Sequence, residues 1–186
     1  NSVIDKIEKI VSDEKDTDGL LNFFHPMPKQ LEDTTSPSSS ADKPQPMVEG
    51  FDCWYDWRVE KWSTKWEVCE FYGVDKQADA LIGHSTISFG FSSAWSPPIG
   101  AYEQFLVDNE DCSLKAYYYE GGCDFMGEWD NGSDDCYAPS DYKSTDDFWQ
   151  DGVGSTIDDL LNITESMAEY EEEQEAEKED VHEYTK

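Results

Sequence analysis

Large aromatic side chains are concentrated in one part of this chain, and that concentration most limits how it can fold. Most of the tryptophan and tyrosine lies between residues 48 and 154, together with all five cysteines, Cys53, Cys69, Cys112, Cys123 and Cys136. Burying such rings together is what offsets the entropy of ordering the backbone. One compact core over 48–154 is therefore expected. The flanks are a different material. Residues 26–47 are rich in Pro, Ser, Thr and Asp, most densely from Thr34 to Ser40, and read as a flexible or extended linker. Residues 171–186 open with the run Glu171–Asp180, which has too much like charge and too little apolar surface to order unaided.

Two amphipathic helices are expected outside the core. Val3, Ile4, Ile7, Ile10 and Val11 fall at helical spacing, with Asp5, Lys6, Glu8 and Lys9 on the other face. A helix this short is marginal in water, so its apolar stripe must dock on the core or on a partner. Beyond Gly154, Ser155 or Thr156 can cap a second helix whose stripe is Ile157, Leu160, Leu161, Thr164, Met167 and Tyr170. The partner-docking positions of the two stripes are Ile4, Ile7, Val11, Leu160, Leu161 and Met167. The expected organisation is an N-terminal helix and extension over 1–25, a linker over 26–47, a core over 48–154, a helix over 155–170 and an acidic tail over 171–186.

Within the core, Tyr55, Val59, Trp62, Trp66 and Cys69 share one helical face, with Asp52 as N-cap and Gly73 as stop, so the spacing predicts a helix across Phe51–Tyr72. The rival is a hairpin reversing near Lys61, which would join Cys53 to Cys69. A continuous helix rising about 1.5 Å per residue would hold them roughly 24 Å apart, beyond disulfide reach. A short helix is expected over 75–82, ending at Gly83, then a strand over Ile87–Phe91 closed by the loop Trp95–Gly100. Gly121-Gly122 between two aromatic runs predicts a hairpin over 114–129. Its expected register sets Glu120 against Cys123, Tyr118 against Phe125, Ala116 against Gly127 and Leu114 against Trp129, with Lys115 meeting Glu128. A strand at Phe105–Val107 would widen it, and residues 130–147 read as a polar loop. The fold class is therefore α+β: a small, aromatic-rich, disulfide-bonded core with an antiparallel hairpin, amphipathic terminal helices and acidic or flexible tails.

Acidic side chains outnumber basic ones 43 to 13, a formal charge of -30. Such a surface repels nucleic acid phosphates, so direct nucleic-acid binding is not expected. It suits a basic partner, a cation-rich medium, mimicry of a nucleic-acid backbone, or solubility alone. No run approaches the roughly 18 apolar residues that span a bilayer. The clustered cysteines, two glycosylation triplets at Asn131 and Asn162, and an opening on Asn1 like that of a processed form lead to an expected location in a secreted or organellar-lumen compartment. An odd cysteine count leaves one thiol unpaired or bonded to another chain.

His25, His84 and His182 are scattered, and no zinc spacing, phosphate loop or nucleophile elbow occurs. The sequence thus gives catalysis no positive support and names no cofactor. Asp130, Asn131, Asp134 and Asp135 gather oxygen atoms around Gly132 and form a calcium candidate. The run Gly127–Cys136 resembles the ligand-loop region of C-type lectins, but it lacks that loop's proline and no cysteine follows Cys136, so no sugar-binding residue is carried over. The leading expectation is a non-catalytic, acidic interaction or linker subunit that docks on other protein subunits in a larger assembly, for instance an organellar membrane complex. One alternative is a secreted module that binds glycan or calcium through Trp54, Trp57, Trp129 and the Asp-rich loop. The other is an acidic mimic of nucleic acid that inhibits a DNA-binding protein.

Overall fold

The computed structural model describes residues 2–12, 19–79, 81, 83–142, 152–165 and 168. Helix and antiparallel sheet are both present, in two compact units, Asn1–Ser113 and Leu114–Lys186. Their boundary falls inside the segment that composition alone treats as one core.

In the first unit, helix α1 (Val3–Ser12) forms where the periodicity places it. Its start is fixed by a reciprocal cap: the Asp5 amide donates to Ser2 Oγ (3.2 Å) and the Ser2 amide to Asp5 Oδ2 (2.9 Å). Ile7 and Val11 are buried and Ile4 half-buried, against a hairpin and helix α2 (Leu20–Phe24) of the same unit. Lys76 of that hairpin holds α1 through Asp5 (2.6 Å) and Glu8 (2.5 Å). The stripe of α1 is thus taken up by its own unit.

Within the expected linker over 26–47 most side chains are exposed, and two are buried. Met27 and Leu31 are buried, Leu31 within the short helix α3 (Lys29–Glu32). Thr34 Oγ1 accepts the Trp54 amide at 2.8 Å, and Gln45 exchanges two hydrogen bonds with the Thr35 backbone. Two apolar anchors and these side-chain bonds tie the segment to the first unit at a few points.

Neither reading of Phe51–Tyr72 holds in full. Helix α4 (Trp54–Trp62) stops at Ser63, which takes a left-handed conformation (φ 65°). Strand β1 (Cys69–Asp79) follows, paired antiparallel with β2 (His84–Ser92). Of the helix expected over 75–82, residues 75–79 are strand: pairing with β2 overrides good helix formers such as Lys76, Gln77 and Ala78, and residues 80 and 82 lie outside the described residues. Two register shifts interrupt β1, between Cys69 and Tyr72 and between Tyr72 and Asp75, and Gly73 lies at the second rather than at a helix end. Phe71, Phe89 and Phe91 cluster on one face at 6.1–6.2 Å. Residues 105–107, expected as strand, belong to helix α5 (Ile99–Asp108), which buries Ala101, Tyr102 and Phe105. Phe24 of α2 meets Phe105 at 4.5 Å and Tyr102 at 6.5 Å.

The second unit is a three-stranded antiparallel sheet, β3 (Lys115–Glu120), β4 (Phe125–Asp130) and β5 (Ser133–Tyr137), with helix α6 (Gly152–Leu161) on one face. The predicted hairpin exists, but Glu120 faces Phe125, Tyr118 faces Gly127 and Ala116 faces Trp129. The turn takes in Gly121–Asp124, with Asp124 left-handed (φ 56°) and the Glu120 carboxylate accepting the Gly122 amide. Because the register moves by an even step, each side chain keeps its face. Residues 131–137 are not loop. Asn131 (φ 47°) and Gly132 (φ 100°) make a two-residue turn of the primed kind, which needs positive φ at both positions, and β5 returns along β4. Met126, Ile157 and Ile163 form the core of this unit beneath Tyr117, Tyr119, Tyr137, Tyr142 and Leu161. Among the described residues no helix is long and apolar enough to cross a membrane.

Candidate functional site

The site is built by two loops of the first unit that lock together through hydroxyl groups. Where α4 stops, the Ser63 carbonyl accepts the Ser96 hydroxyl, and Ser63 Oγ accepts the Gly100 amide at 3.1 Å. Thr64, buried, donates its hydroxyl to the Ala94 carbonyl (2.7 Å), and Ser93 Oγ donates to the Ser96 carbonyl (2.8 Å). The start of α5 lies so close to the end of α4 that a Cβ on Gly100 would stand 2.5 Å from the Lys61 carbonyl oxygen. Only glycine fits there without movement.

Beside these bonds two tryptophans are left exposed. Trp66 is 54% exposed and Trp95 59%. Trp95 also adopts φ 72°, a left-handed backbone that costs a bulky residue of order 1–3 kcal/mol and persists only where its surroundings dictate it. Between the rings lies Lys65. Its Nζ is 3.8 Å from the Trp66 ring centroid and 3.6 Å from that of Trp95, well inside the roughly 6 Å reach of a cation–π contact. The site's chemistry is that of a cage for a positive charge.

Behind the cage, Glu67 ties the loop to α2. Its carboxylate accepts the amides of Leu21 (2.6 Å), Asn22 (3.1 Å) and Val68 (3.2 Å). Burial raises its pKa, opposed by those three N–H groups and by the Arg58 charge. The Arg58 guanidinium lies over the rings of Trp62 (4.7 Å) and Trp54 (5.2 Å). Trp62 in turn donates its indole N–H to the His25 carbonyl at 2.8 Å. The His25 ring packs on Trp57 (5.1 Å), and burial pushes its pKa down.

The residues singled out by sequence are placed elsewhere. Trp57 and Trp129 are buried, and Trp54 is half-buried beneath Arg58, so the suggested sugar-stacking trio is not a surface platform. All five cysteines carry free thiols; Cys53 is buried, Cys112 half-buried, and Cys69, Cys123 and Cys136 exposed. The expected helix from Cys53 to Cys69 is broken, yet no Cys53–Cys69 bridge forms. In the calcium candidate, Asp130 pairs with Lys115 (2.9 Å), which lowers the Asp130 pKa. Asn131 accepts the Leu114 amide (3.0 Å) and donates to Asp130 (2.7 Å), while Asp134 accepts the Tyr118 hydroxyl (2.7 Å). Asp134 and Asp135 are consecutive on a strand and point to opposite faces. Among the described residues, the group of three metal-ligating side chains that does converge is Asp52, Cys53 and Asp56. Of the docking stripes, Ile7 and Val11 are buried, Ile4 and Leu161 half-buried, and Leu160 is 56% exposed; Met167 lies outside the described residues, as does the acidic tail.

Sequence reasoning missed Lys65 and Trp95 and assigned Trp66 to the helical face with Tyr55 and Trp62. A usable signal was present: Trp95 stands in an Ala-Trp-Ser-Pro-Pro loop with no apolar period to bury it. No family model, curated protein or solved structure matches this chain.

Proposed function

We propose that this chain is a non-catalytic, acidic interaction protein that docks within a larger assembly by engaging a basic partner, with the Trp66–Trp95 pair as its contact. The observation that carries this reading is the outward display of two indoles by a strained, over-determined loop. Exposed tryptophans flanked by polar residues are the side chains most enriched at the energetic centres of protein interfaces. A charge of -30 selects for the sign of the partner and accelerates its encounter.

The test is the native mass of the full chain isolated gently from its source, beside a W66A/W95A double variant. The expected result is a particle of fixed stoichiometry that contains a basic chain and is lost in the variant. A lone species of 21.3 kDa, or a particle that the double variant retains, overturns the proposal.

A further inference from the structure

We infer that the Trp66–Trp95 pair is a receptor for an alkylammonium group, that Lys65 is its resident occupant, and that a lysine side chain of the basic partner displaces it. This deepens the docking reading and rests on it. Four observations carry the inference. First, one ammonium contacts two ring faces at 3.6 and 3.8 Å, whereas the other lysine–aromatic contacts among the described residues, at Lys6, Lys61 and Lys115, are single-ring and 5.7–6.0 Å away. Second, Trp66 and Trp95 are each more than half exposed as residues with Lys65 in place, so an outside ligand has access. Third, the two loops that carry the rings are tied to each other by bonds among Ser63, Thr64, Ser93, Ala94 and Ser96 that do not involve the Lys65 side chain. The loops therefore stay joined when the occupant leaves. Fourth, the chain's charge draws cations, not anions, to its surface. Two indole faces closed around one ammonium is the arrangement by which proteins recognise such groups.

Lys65 on this account is an intramolecular competitor. Any external ligand first displaces a group tethered beside the cage, which weakens apparent binding by the stability of the resident contact. The probe is Nα-acetyl-lysine amide, titrated into the full chain at constant ionic strength, with Nα-acetyl-norleucine amide as the uncharged control. The indole N–H resonances of Trp66 and Trp95 and the ε-methylene protons of Lys65 are followed by NMR. In the free protein the Lys65 ε-methylene protons are expected upfield, under the rings. As the lysine amide binds, they move to ordinary lysine positions while both indoles shift. K65Q removes the competitor and is expected to bind the lysine amide about five-fold more tightly; K65R, which keeps a cation in place, stays within about two-fold of wild type.

The inference fails if the Lys65 methylenes resonate at ordinary positions in the free protein, if the norleucine amide binds equally well, or if K65Q binds no tighter while retaining native near-ultraviolet dichroism. A neutral disaccharide that shifts the indoles when the lysine amide does not would also overturn it, in favour of a carbohydrate platform. Failure here is separable from failure of the docking reading. Partner loss in W66A/W95A with no effect of K65Q on any titration leaves docking intact and removes the ammonium receptor alone.

Discussion

Replacing Glu67 by alanine should be among the most damaging single changes to the first unit. The side chain accepts three backbone amides, two of them at the first turn of α2, where helical N–H groups lack intrahelical partners. Taking about 1 kcal/mol for each acceptor withdrawn from a partly buried N–H gives about 3 kcal/mol in all. The loss of the charge facing Arg58, itself lowered in pKa by burial, acts in the same direction. For a urea dependence of about 1.5 kcal/mol per molar, the midpoint should fall by about 2 M. The assay is urea unfolding followed by tryptophan fluorescence, with hydrogen exchange at Leu21 and Asn22 as the local reporter. E67Q supplies a second test, through pH. Burial leaves the folded carboxyl with a pKa above its ordinary 4.5. The native state then binds this proton more readily than the unfolded chain, so wild type loses stability relative to E67Q as pH rises from about 4.5 through the folded pKa. A cost below about 1 kcal/mol for E67A, or protection unchanged at Leu21 and Asn22, would refute the assignment of Glu67 as the tie between loop and helix.

Three further outcomes are expected. G100A places a methyl group 2.5 Å from a backbone oxygen, so α4 and α5 must part; a cost of about 1–3 kcal/mol in urea unfolding, with altered Trp95 fluorescence, checks this. Thiol titration should count five reactive groups in denaturant without reductant, with Cys69, Cys123 and Cys136 reacting in the native protein and Cys53 protected; fewer than five would reveal a bridge. The Asp5 carboxyl, hydrogen-bonded to Lys76 and Ser2, should titrate at about 2 instead of 3.8. Its contribution to stability is present above 3.8 and lost as pH falls toward about 2, and K76M should return the NMR midpoint toward 3.8.

Local periodicity found the elements whose partners lie nearby. Helix α1 was legible because Val3, Ile4, Ile7, Ile10 and Val11 repeat at helical spacing; the Ser2–Asp5 cap that fixes its start emerged only with the structure. The β3–β4 hairpin was legible because two aromatic runs flank Gly121-Gly122, although the register depended on Asp124 accepting a left-handed backbone. Other signals were present and undervalued. Asn131-Gly132 is the strongest short hairpin signal a sequence offers. Pro98 followed by Ala101, Tyr102 and Phe105 has the start and spacing of a helix. The identity of β1 was not legible in this way, because Asp75–Asp79 becomes strand only through its pairing with His84–Ser88.

The cage was hidden for a related reason. Trp66 fits the same helical period as Tyr55 and Trp62, and period alone cannot reveal that Ser63 leaves the helix, since that depends on Ser96 and Gly100 more than thirty residues later. Energetics supply what the pattern does not. A tryptophan offers about 150–250 Å² for burial, so leaving Trp66 and Trp95 each more than half exposed forgoes roughly 2–3 kcal/mol per ring at about 25 cal/mol per Å². The left-handed backbone of Trp95 adds to that cost. The same fold buries Trp57, Trp62 and Trp129 almost completely, so indole size is no obstacle to burial. Two rings kept outside, around one cation and at a net cost to folding, make sense when the compensating contact comes from another molecule.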